Sequence, residues 1–280
     1  MAGSEVFADG ALAGRAVLVT GGGTGLGRAA AAELRRCGAE VVICGRRAEV
    51  LEATAAVLGA AWVAGDVRAD ADAERILDFA LERCGRLDVL VNNAGGQYFT
   101  PAEAIEPKGW RAVTRLNVGG TERMTRVAAE RAFVPSGRGG TVVNVTLSPH
   151  HGLAGMTHSS AARAAVEGYT RALADEWAPD GIVVIAVAAG HFDTASLRKY
   201  PEPVWRAAAR TVPLQRLGRE DEHAWLVALC CSPLGAALSG SVVTLDGARD
   251  NWFGPWPPEA LTGGEGEVPV EERRPKPPGS

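Results

Sequence analysis

Short, fully apolar runs alternate with amphipathic segments along the first 250 residues. The apolar runs predict strands at 17–19, 41–43, 62–63, 87–91, 141–145, 182–187 and 242–245. The segments between them predict helices at 28–37, 48–58, 70–84, 110–133, 158–177 and 220–231. Strands that are apolar on both faces and separated by helices indicate a parallel sheet that is covered on both sides. We therefore expect an α/β fold, a doubly wound parallel sheet with helices on both faces.

The alternation ends near residue 250, which predicts a single domain over 1–250 and a C-terminal extension over 251–280. The extension is rich in Pro, Gly and Glu, a composition that does not build a core, and we expect it to be partly disordered. Its first part, 251–256, is unusually rich in Trp and Phe. Loose tails seldom concentrate aromatic residues, so we predict that this part packs onto the body or onto a neighbouring subunit.

Composition narrows the class of protein. A chain of 280 residues with a formal net charge of −4 suits one domain with a sizeable core and predicts neither a nucleic-acid nor a membrane-surface partner. The first ten residues lack the features of a secretory signal, and no apolar run could span a bilayer. The five cysteines lack metal-ligand spacing. We expect reduced thiols, no metal site and a cytoplasmic location.

A glycine-rich loop joins the first predicted strand to the first helix. Glycine lets the backbone turn tightly and approach a pyrophosphate, and the helix N-terminus behind the loop offers free N–H groups and a positive dipole end. The flanking strand and helix are the context that such a motif requires. The loop therefore predicts a dinucleotide site in a Rossmann-type fold, formed by Gly21, Gly23, Thr24, Gly25, Leu26 and Gly27.

This loop and three later motifs together resemble the short-chain dehydrogenase/reductase family over residues 12–249. The loop has the family's TGxxxGxG pattern, and 92–95 resembles its NNAG motif. Residues 190–194 resemble the PGxxxT segment beside the nicotinamide, and 245–248 resembles the terminal VDGG, with Ala248 replacing its last glycine. The resemblance implies a homodimer or homotetramer and a nicotinamide cofactor. It implies cofactor contacts from Asp66, Val67, Asn93, Ala94, Gly95, Arg163, Gly190, Phe192 and Thr194.

The end of the second strand bears on the choice of cofactor. Family members that use NAD usually carry a carboxylate there, which hydrogen-bonds the ribose 2′-hydroxyl and would repel a 2′-phosphate. This chain has no acid at 44–47, and Arg46 and Arg47 offer guanidinium groups that could bind a phosphate with two hydrogen bonds each. The sequence therefore predicts NADP(H).

The catalytic half departs from the family pattern of Ser followed by YxxxK. Aligning 164–166 with the family's AAV run assigns Thr146 to the serine position, Ser159 to the tyrosine position and Arg163 to the lysine position. Asn117 falls where the family has an active-site asparagine. A serine is a much weaker acid than a phenol, and arginine is a poor proton carrier.

Other donors near the predicted site could replace the missing tyrosine. Ser148 follows the fifth strand, where active-site donors lie in this family, and His158 directly precedes Ser159. His150, His151 and His191 also fall in segments that border the site, and a histidine titrates near neutral pH. Sequence alone leaves open which of these residues supplies a proton.

Three functions remain open, and the first is favoured. Reduction of a C=C bond conjugated with a thioester or ketone needs hydrogen-bond donors for an enolate oxygen, which the altered site could supply. Residues 158–177 also resemble a subgroup with peroxisomal trans-2-enoyl-CoA reductases, and together with the tail at 250–258 they resemble bacterial citronellol/citronellal dehydrogenase-like proteins. The second function is an NADP-dependent alcohol or aldehyde dehydrogenase with a different proton relay. The third is a non-redox or regulatory NADP-binding protein.

The sequence predicts a small-molecule substrate, such as an enoyl thioester, an enone or a terpenoid-like compound. We expect the segment 192–211 and the Trp-rich tail to determine specificity, because such segments vary freely on this fold.

Overall fold

Seven parallel strands form one sheet in the computed structural model, which describes residues 3–200 and 202–251. They are β1 (Ala16–Thr20), β2 (Glu40–Gly45), β3 (Ala61–Ala64), β4 (Val89–Asn92), β5 (Gly140–Leu147), β6 (Ile182–Ala189) and β7 (Val242–Leu245). Their order is β3-β2-β1-β4-β5-β6-β7, which confirms the predicted fold class. Of the C-terminal extension, residues 252–280 lie outside the described residues, including most of the aromatic stretch 251–256.

Helices cover both faces of the sheet. They are α1 (Gly25–Arg36), α2 (Ala48–Leu58), α3 (Asp70–Cys84), α4 (Pro107–Thr114), α5 (Gly120–Ala128), α6 (Val134–Ser136), α7 (Thr157–Glu176), α8 (Glu202–Ala208) and α9 (Glu220–Cys231). Gly59 and Gly85 end α2 and α3 in left-handed conformation, the usual device for closing a helix. None of the described helices is long and apolar enough to cross a membrane.

The central strands bury alternate side chains in two separate cores. Val17 and Val19 of β1 pack with residues of α1 and α9 in one cluster, whereas Leu18 faces the other cluster with Ile76 and Met124. All three β1 residues are almost fully buried. A strand that is covered on both faces is apolar at every position, which explains the unbroken hydrophobic runs in the sequence.

The helix predicted over 110–133 is longer and less regular than expected. Helical backbone runs without a break from 107 to 136, but Arg115–Gly119 and Ala129–Phe133 adopt the wider π-helical turn. Asn117 lies within the first π segment, and its side-chain amide donates to the Val113 carbonyl at 3.0 Å. Such π segments inside α-helices are frequent at functional sites.

The strand order turns around between β1 and β4, which are neighbours in the middle of the sheet. Chains that leave β1 and β4 diverge to opposite faces and open a crevice at their carboxyl ends. The loops after β5 and β6 leave the same edge. The sheet therefore gathers the predicted glycine loop and the predicted catalytic segments on one side of the molecule.

Candidate active site

A groove of about 240 Å³ follows the carboxyl ends of β1, β2 and β4. Its lining includes ten of the residues predicted to bind the dinucleotide: Gly21, Gly23, Thr24, Arg46, Arg47, Asp66, Val67, Asn93, Ala94 and Gly95. The motifs from four separate parts of the chain thus meet in one groove.

The glycine loop makes a cradle that side chains would fill. Gly21 has a φ of +65°, a conformation that favours glycine. A Cβ atom at Gly27 would lie only 2.5 Å from the Gly21 carbonyl oxygen, so the helix and the loop can approach only without one. Thr24 caps α1 with extended backbone, and its side chain does not occupy the N–H groups of the first turn. These features fit a pyrophosphate at the N-terminus of α1.

Thr20 ties the glycine loop to the loop after β4, a role that the sequence motifs did not reveal. Its buried hydroxyl accepts hydrogen bonds from the backbone N–H groups of Asn93 and Ala94, each at 3.0 Å. The Asn93 side-chain amide donates back to the Thr20 carbonyl at 3.0 Å. These hydrogen bonds hold the glycine loop and the loop after β4 together at the bottom of the groove.

The far end of the groove is positively charged. Arg68 makes a two-point contact with Asp66, with distances of 2.9 Å from Nε to Oδ1 and 2.5 Å from Nη2 to Oδ2. The Arg68 guanidinium holds the pKa of the Asp66 carboxyl below its ordinary value, so this aspartate is ionised. Arg46 and Arg47 lie in the same lining, and the balance of charge there favours a phosphate group.

A larger cavity of about 800 Å³ adjoins the groove. The two share Asn93 and Gly95 in their linings. The predicted residues Gly25, Leu26, Thr146, Arg163, Gly190, Phe192 and Thr194 also line the cavity. Apolar side chains cover much of the remaining wall, including Leu153, Met156, Leu197 and Val204. The cavity is large enough for a small organic substrate with an apolar chain.

Arg163 lies where the groove meets the cavity. Its Nη1 donates to the Val145 carbonyl at 2.7 Å, and its Nη2 lies against Gly95. Burial lowers the pKa of this guanidinium to about 10, so it stays charged at neutral pH. The site therefore holds a fixed positive charge at the position that the family motif gives to lysine.

Asn117 connects the π segment to the loop after β4. Its side-chain amide donates to the Gly96 carbonyl at 2.8 Å, and its side-chain oxygen accepts from the Gly96 N–H at 3.1 Å. Asn117 is fully buried and does not line the cavity. It shapes the loop that presents Gly95 and Gly96 to the site.

Thr146 reaches the cavity wall from the end of β5. Its hydroxyl donates to the buried Glu167 carboxylate at 3.2 Å. The same carboxylate lies 3.0 Å from His150 Nδ1, and His150 also contacts Thr244 and Asp250. The structure thus places His150 in a polar network behind Thr146, outside the cavity lining.

Ser148, His158 and Ser159, the predicted replacement donors, also lie outside the cavity lining. The Ser148 hydroxyl donates to Asp246. The His158 ring is fully buried against Tyr98, with ring centroids 4.5 Å apart, and burial lowers its pKa. Neither His158 nor Ser159 has a hydrogen-bond partner for its side chain among the described residues.

His191, which follows Gly190, borders the cavity. Burial lowers its pKa to about 4. The ring is therefore neutral near pH 7 and carries no proton that it could release as an imidazolium.

Two polar cavity residues had no place in the sequence motifs. Gln97 lies in the loop after β4, and Tyr200 follows the short 3-10 turn Leu197–Lys199. The Gln97 amide donates to the Tyr200 hydroxyl at 3.3 Å. Tyr200 falls within the segment 192–211 that we expected to set specificity, but only the fold shows that it lies close to Arg163.

Comparison with known proteins identifies relatives over most of the chain. The family model described as enoyl-(acyl carrier protein) reductase matches residues 21–248. A Bacillus subtilis strain 168 protein named "probable 2,4-dienoyl-CoA reductase, (2E)-enoyl-CoA-producing" is 37% identical over 254 residues, which are 87% of this chain and 98% of that protein.

Two solved structures show the same similarity in three dimensions. The citronellol catabolism dehydrogenase AtuB of Pseudomonas aeruginosa PAO1 is 36% identical, with a TM-score of 0.78 over 88% of this chain and 98% of that one. The 3-ketoacyl-(acyl-carrier-protein) reductase of Brucella melitensis, complexed with NADH, is 30% identical, with a TM-score of 0.80 over 85% and 99%.

Proposed function

The chain belongs to the short-chain dehydrogenase/reductase family of oxidoreductases, and from that premise we propose that it reduces a C=C bond conjugated with an acyl thioester, using NADPH. The named relatives include a dienoyl-CoA reductase, which supports the double bond and the thioester. The two arginines at the end of β2 support NADPH over NADH.

The observation that carries this proposal is the position of Ser159. By the motif alignment Ser159 replaces the family's acidic phenol, and its hydroxyl is fully buried, makes no hydrogen bond among the described residues and does not line the cavity. Reduction of a carbonyl needs an acid that protonates an alkoxide in the site. Reduction of a conjugated C=C bond needs only donors that stabilise an enolate oxygen, and water can protonate the carbon.

Some residues of the site bind the cofactor, and others stabilise the charge that develops on the substrate. The bound nicotinamide cofactor would supply a hydride. The glycine cradle and the N-terminus of α1 hold its pyrophosphate, and Arg46 and Arg47 hold its 2′-phosphate. Arg163, fixed by the Val145 carbonyl, binds a ribose hydroxyl and places a positive charge beside the reacting carbonyl. The apolar cavity wall takes the acyl chain and lowers the local dielectric constant, which strengthens the electrostatic effect of that charge.

An alcohol or aldehyde dehydrogenase is the second candidate, because one similar structure is named a citronellol catabolism dehydrogenase. That chemistry also uses a hydride and an apolar cavity. It differs in needing a proton carrier for an alcohol oxygen.

We also infer a homo-oligomer, a dimer or a tetramer, whose mass light scattering would give.

The test compares the two substrate classes on one enzyme preparation. NADPH oxidation is followed at 340 nm with 2,4-hexadienoyl-CoA and crotonyl-CoA, and with citronellal; NADP⁺ reduction is followed with citronellol. We expect turnover with at least one thioester, and a product that has lost one C=C bond and kept its thioester. Turnover with citronellal or citronellol alone would establish the second candidate, and turnover with neither class would exclude both.

A further inference from the structure

Tyr200 lies in the segment after β6, not in α7, and brings a phenol to the cavity. The Tyr200 hydroxyl lies 3.3 Å from Gln97 Nε2 and 3.7 Å from Met156 Sδ. Gln97 comes from the loop after β4, and Met156 directly precedes α7. All three residues line the cavity. The hydroxyl is therefore held between the two walls that flank the family's catalytic position.

The other two tyrosines of the chain cannot take this place. The Tyr98 hydroxyl lies against Gly109 in α4, and its ring packs on His158. Tyr169 packs against the core cluster between the sheet and α7, and it does not line the cavity. Tyr98 also lines the cavity, but among the described residues only Tyr200 has its hydroxyl hydrogen-bonded to another polar cavity side chain, that of Gln97.

The surroundings of Tyr200 suit a hydrogen-bond donor. Burial raises the pKa of its phenol, while the Gln97 hydrogen bond and the Arg163 charge lower it; the net pKa lies above the ordinary value. The phenol therefore keeps its proton at neutral pH. Arg163, whose guanidinium is fixed on Val145, adds a positive charge close to the same point. A neutral donor and a fixed cation that line the same cavity are the kinds of group that stabilise an oxyanion.

We propose that Tyr200 donates a hydrogen bond to the thioester carbonyl oxygen and stabilises the enolate that forms there. The proposal rests on the proposed function. Hydride brings an electron pair to the terminal carbon of the conjugated system, and the displaced π electrons collect on the carbonyl oxygen. Tyr200 retains its proton throughout. Water then gives a proton to a carbon of the enolate, the C=O bond re-forms, and hydroxide is left to the solvent.

The kinetic test compares Tyr200→Phe with Tyr169→Phe, which removes the same atom at a position away from the cavity. Loss of one oxyanion donor lowers kcat by about 10²–10³-fold. We expect this loss in Tyr200→Phe, with the KM for NADPH unchanged and the melting temperature close to wild type. Tyr169→Phe should retain wild-type kcat. A Tyr200→Phe enzyme that keeps its kcat would overturn the proposal.

An infrared measurement tests the hydrogen bond without any turnover. A 2,4-hexadienoyl-CoA that is ¹³C-labelled at its carbonyl is bound with NADP⁺, a complex that cannot react. We expect the carbonyl stretch to lie at lower frequency in wild type and Tyr169→Phe than in Tyr200→Phe. Equal frequencies in all three proteins, or no binding of the thioester, would contradict the role of Tyr200. A normal shift in a protein that reduces no thioester would contradict only the proposed function.

Discussion

Gly95 is the residue on which the position of Arg163 most directly depends. A Cβ atom at Gly95 would overlap Arg163 Nη2 and lie 2.8 Å from Asn117 Oδ1. The guanidinium would have to leave its place, because the atoms on both sides are buried. One added methyl group at Gly95 would thus keep the Arg163 side chain in the protein but move its charge away from the site.

We expect Gly95→Ala to lower kcat/KM for the thioester by at least about 10²-fold, because small displacements of catalytic groups have effects of this size. Gly168→Ala is the matched control, since a Cβ atom there meets nothing within 4 Å in α7. That control should keep full activity and be slightly more stable, by about 0.5–1 kcal/mol. Steady-state kinetics and thermal unfolding of both variants measure these effects, and an active Gly95→Ala would show that Arg163 need not stay where it is.

At this scale the sequence predicts residues that act through local motifs and misses those that act through distant contacts. Gly21 and Asn93 belong to short patterns with a known backbone geometry, so their place in the groove could be predicted. Gln97 and Tyr200 meet across 103 positions of the chain, and no local pattern contains that pairing. Ser148 and His158 have suitable chemistry and position in the sequence, but their side chains point into the protein body.

At the scale of elements, the turn after β7 contains backbone strain that a substitution can relieve. Ala248 has a φ of +71° and follows Gly247, whose φ is +66°. Left-handed backbone costs a residue with a Cβ atom about 1–2 kcal/mol. The family resemblance had marked this position as one where glycine is usual, and the structure supplies the physical reason.

We therefore expect Ala248→Gly to raise the free energy of unfolding by about 0.5–1 kcal/mol. Relief of the strain stabilises the native state by more than the added conformational entropy of glycine stabilises the unfolded chain. Ala53→Gly, at an exposed position in α2, is the control and should lower it by about 1 kcal/mol. Urea denaturation gives both values. A decrease in Ala248→Gly would show that the turn is not strained.

The long helix shows what periodicity can and cannot predict. Apolar spacing predicted a helix over 110–133, and helical backbone does cover that range. The π segment at Asn117 was not predictable, because it accompanies hydrogen bonds from Asn117 to the Val113 and Gly96 carbonyls. The second of these bonds exists only once the loop after β4 has been placed beside the helix.

At the scale of the whole molecule, the affinity for each cofactor affects the thermal stability of the folded protein. A ligand that binds only the native protein stabilises it by an amount that rises with the logarithm of its concentration relative to Kd, about 2.7 kcal/mol at 100 times Kd. For a domain of this size, 1 kcal/mol corresponds to about 2–4 °C in Tm. The proposed preference for a 2′-phosphate can therefore be measured before any substrate is known.

We expect NADP⁺ to raise Tm by about 5–10 °C at 100 times its Kd and the same concentration of NAD⁺ to raise it clearly less. Arg46→Ala should bring the two values together, because it removes a guanidinium that would contact the 2′-phosphate. Arg138→Ala, an exposed position before β5 at the opposite edge of the sheet, should leave the difference intact. Differential scanning fluorimetry measures all of these values. Equal shifts in wild type would contradict the choice of NADPH.

The groove and the cavity take most of their walls from different stretches of the chain. The groove uses residues between 21 and 95 and Leu116, whereas most of the cavity wall comes from residues 145–211. The two stretches join across β4 and β5, which pair through backbone groups and therefore accept many side-chain sequences. A genetic crossover near codons 120–140 would thus give a chimera with the groove of one parent and most of the cavity wall of the other. Chimeras of this kind would test whether the cavity wall sets substrate choice independently of the groove.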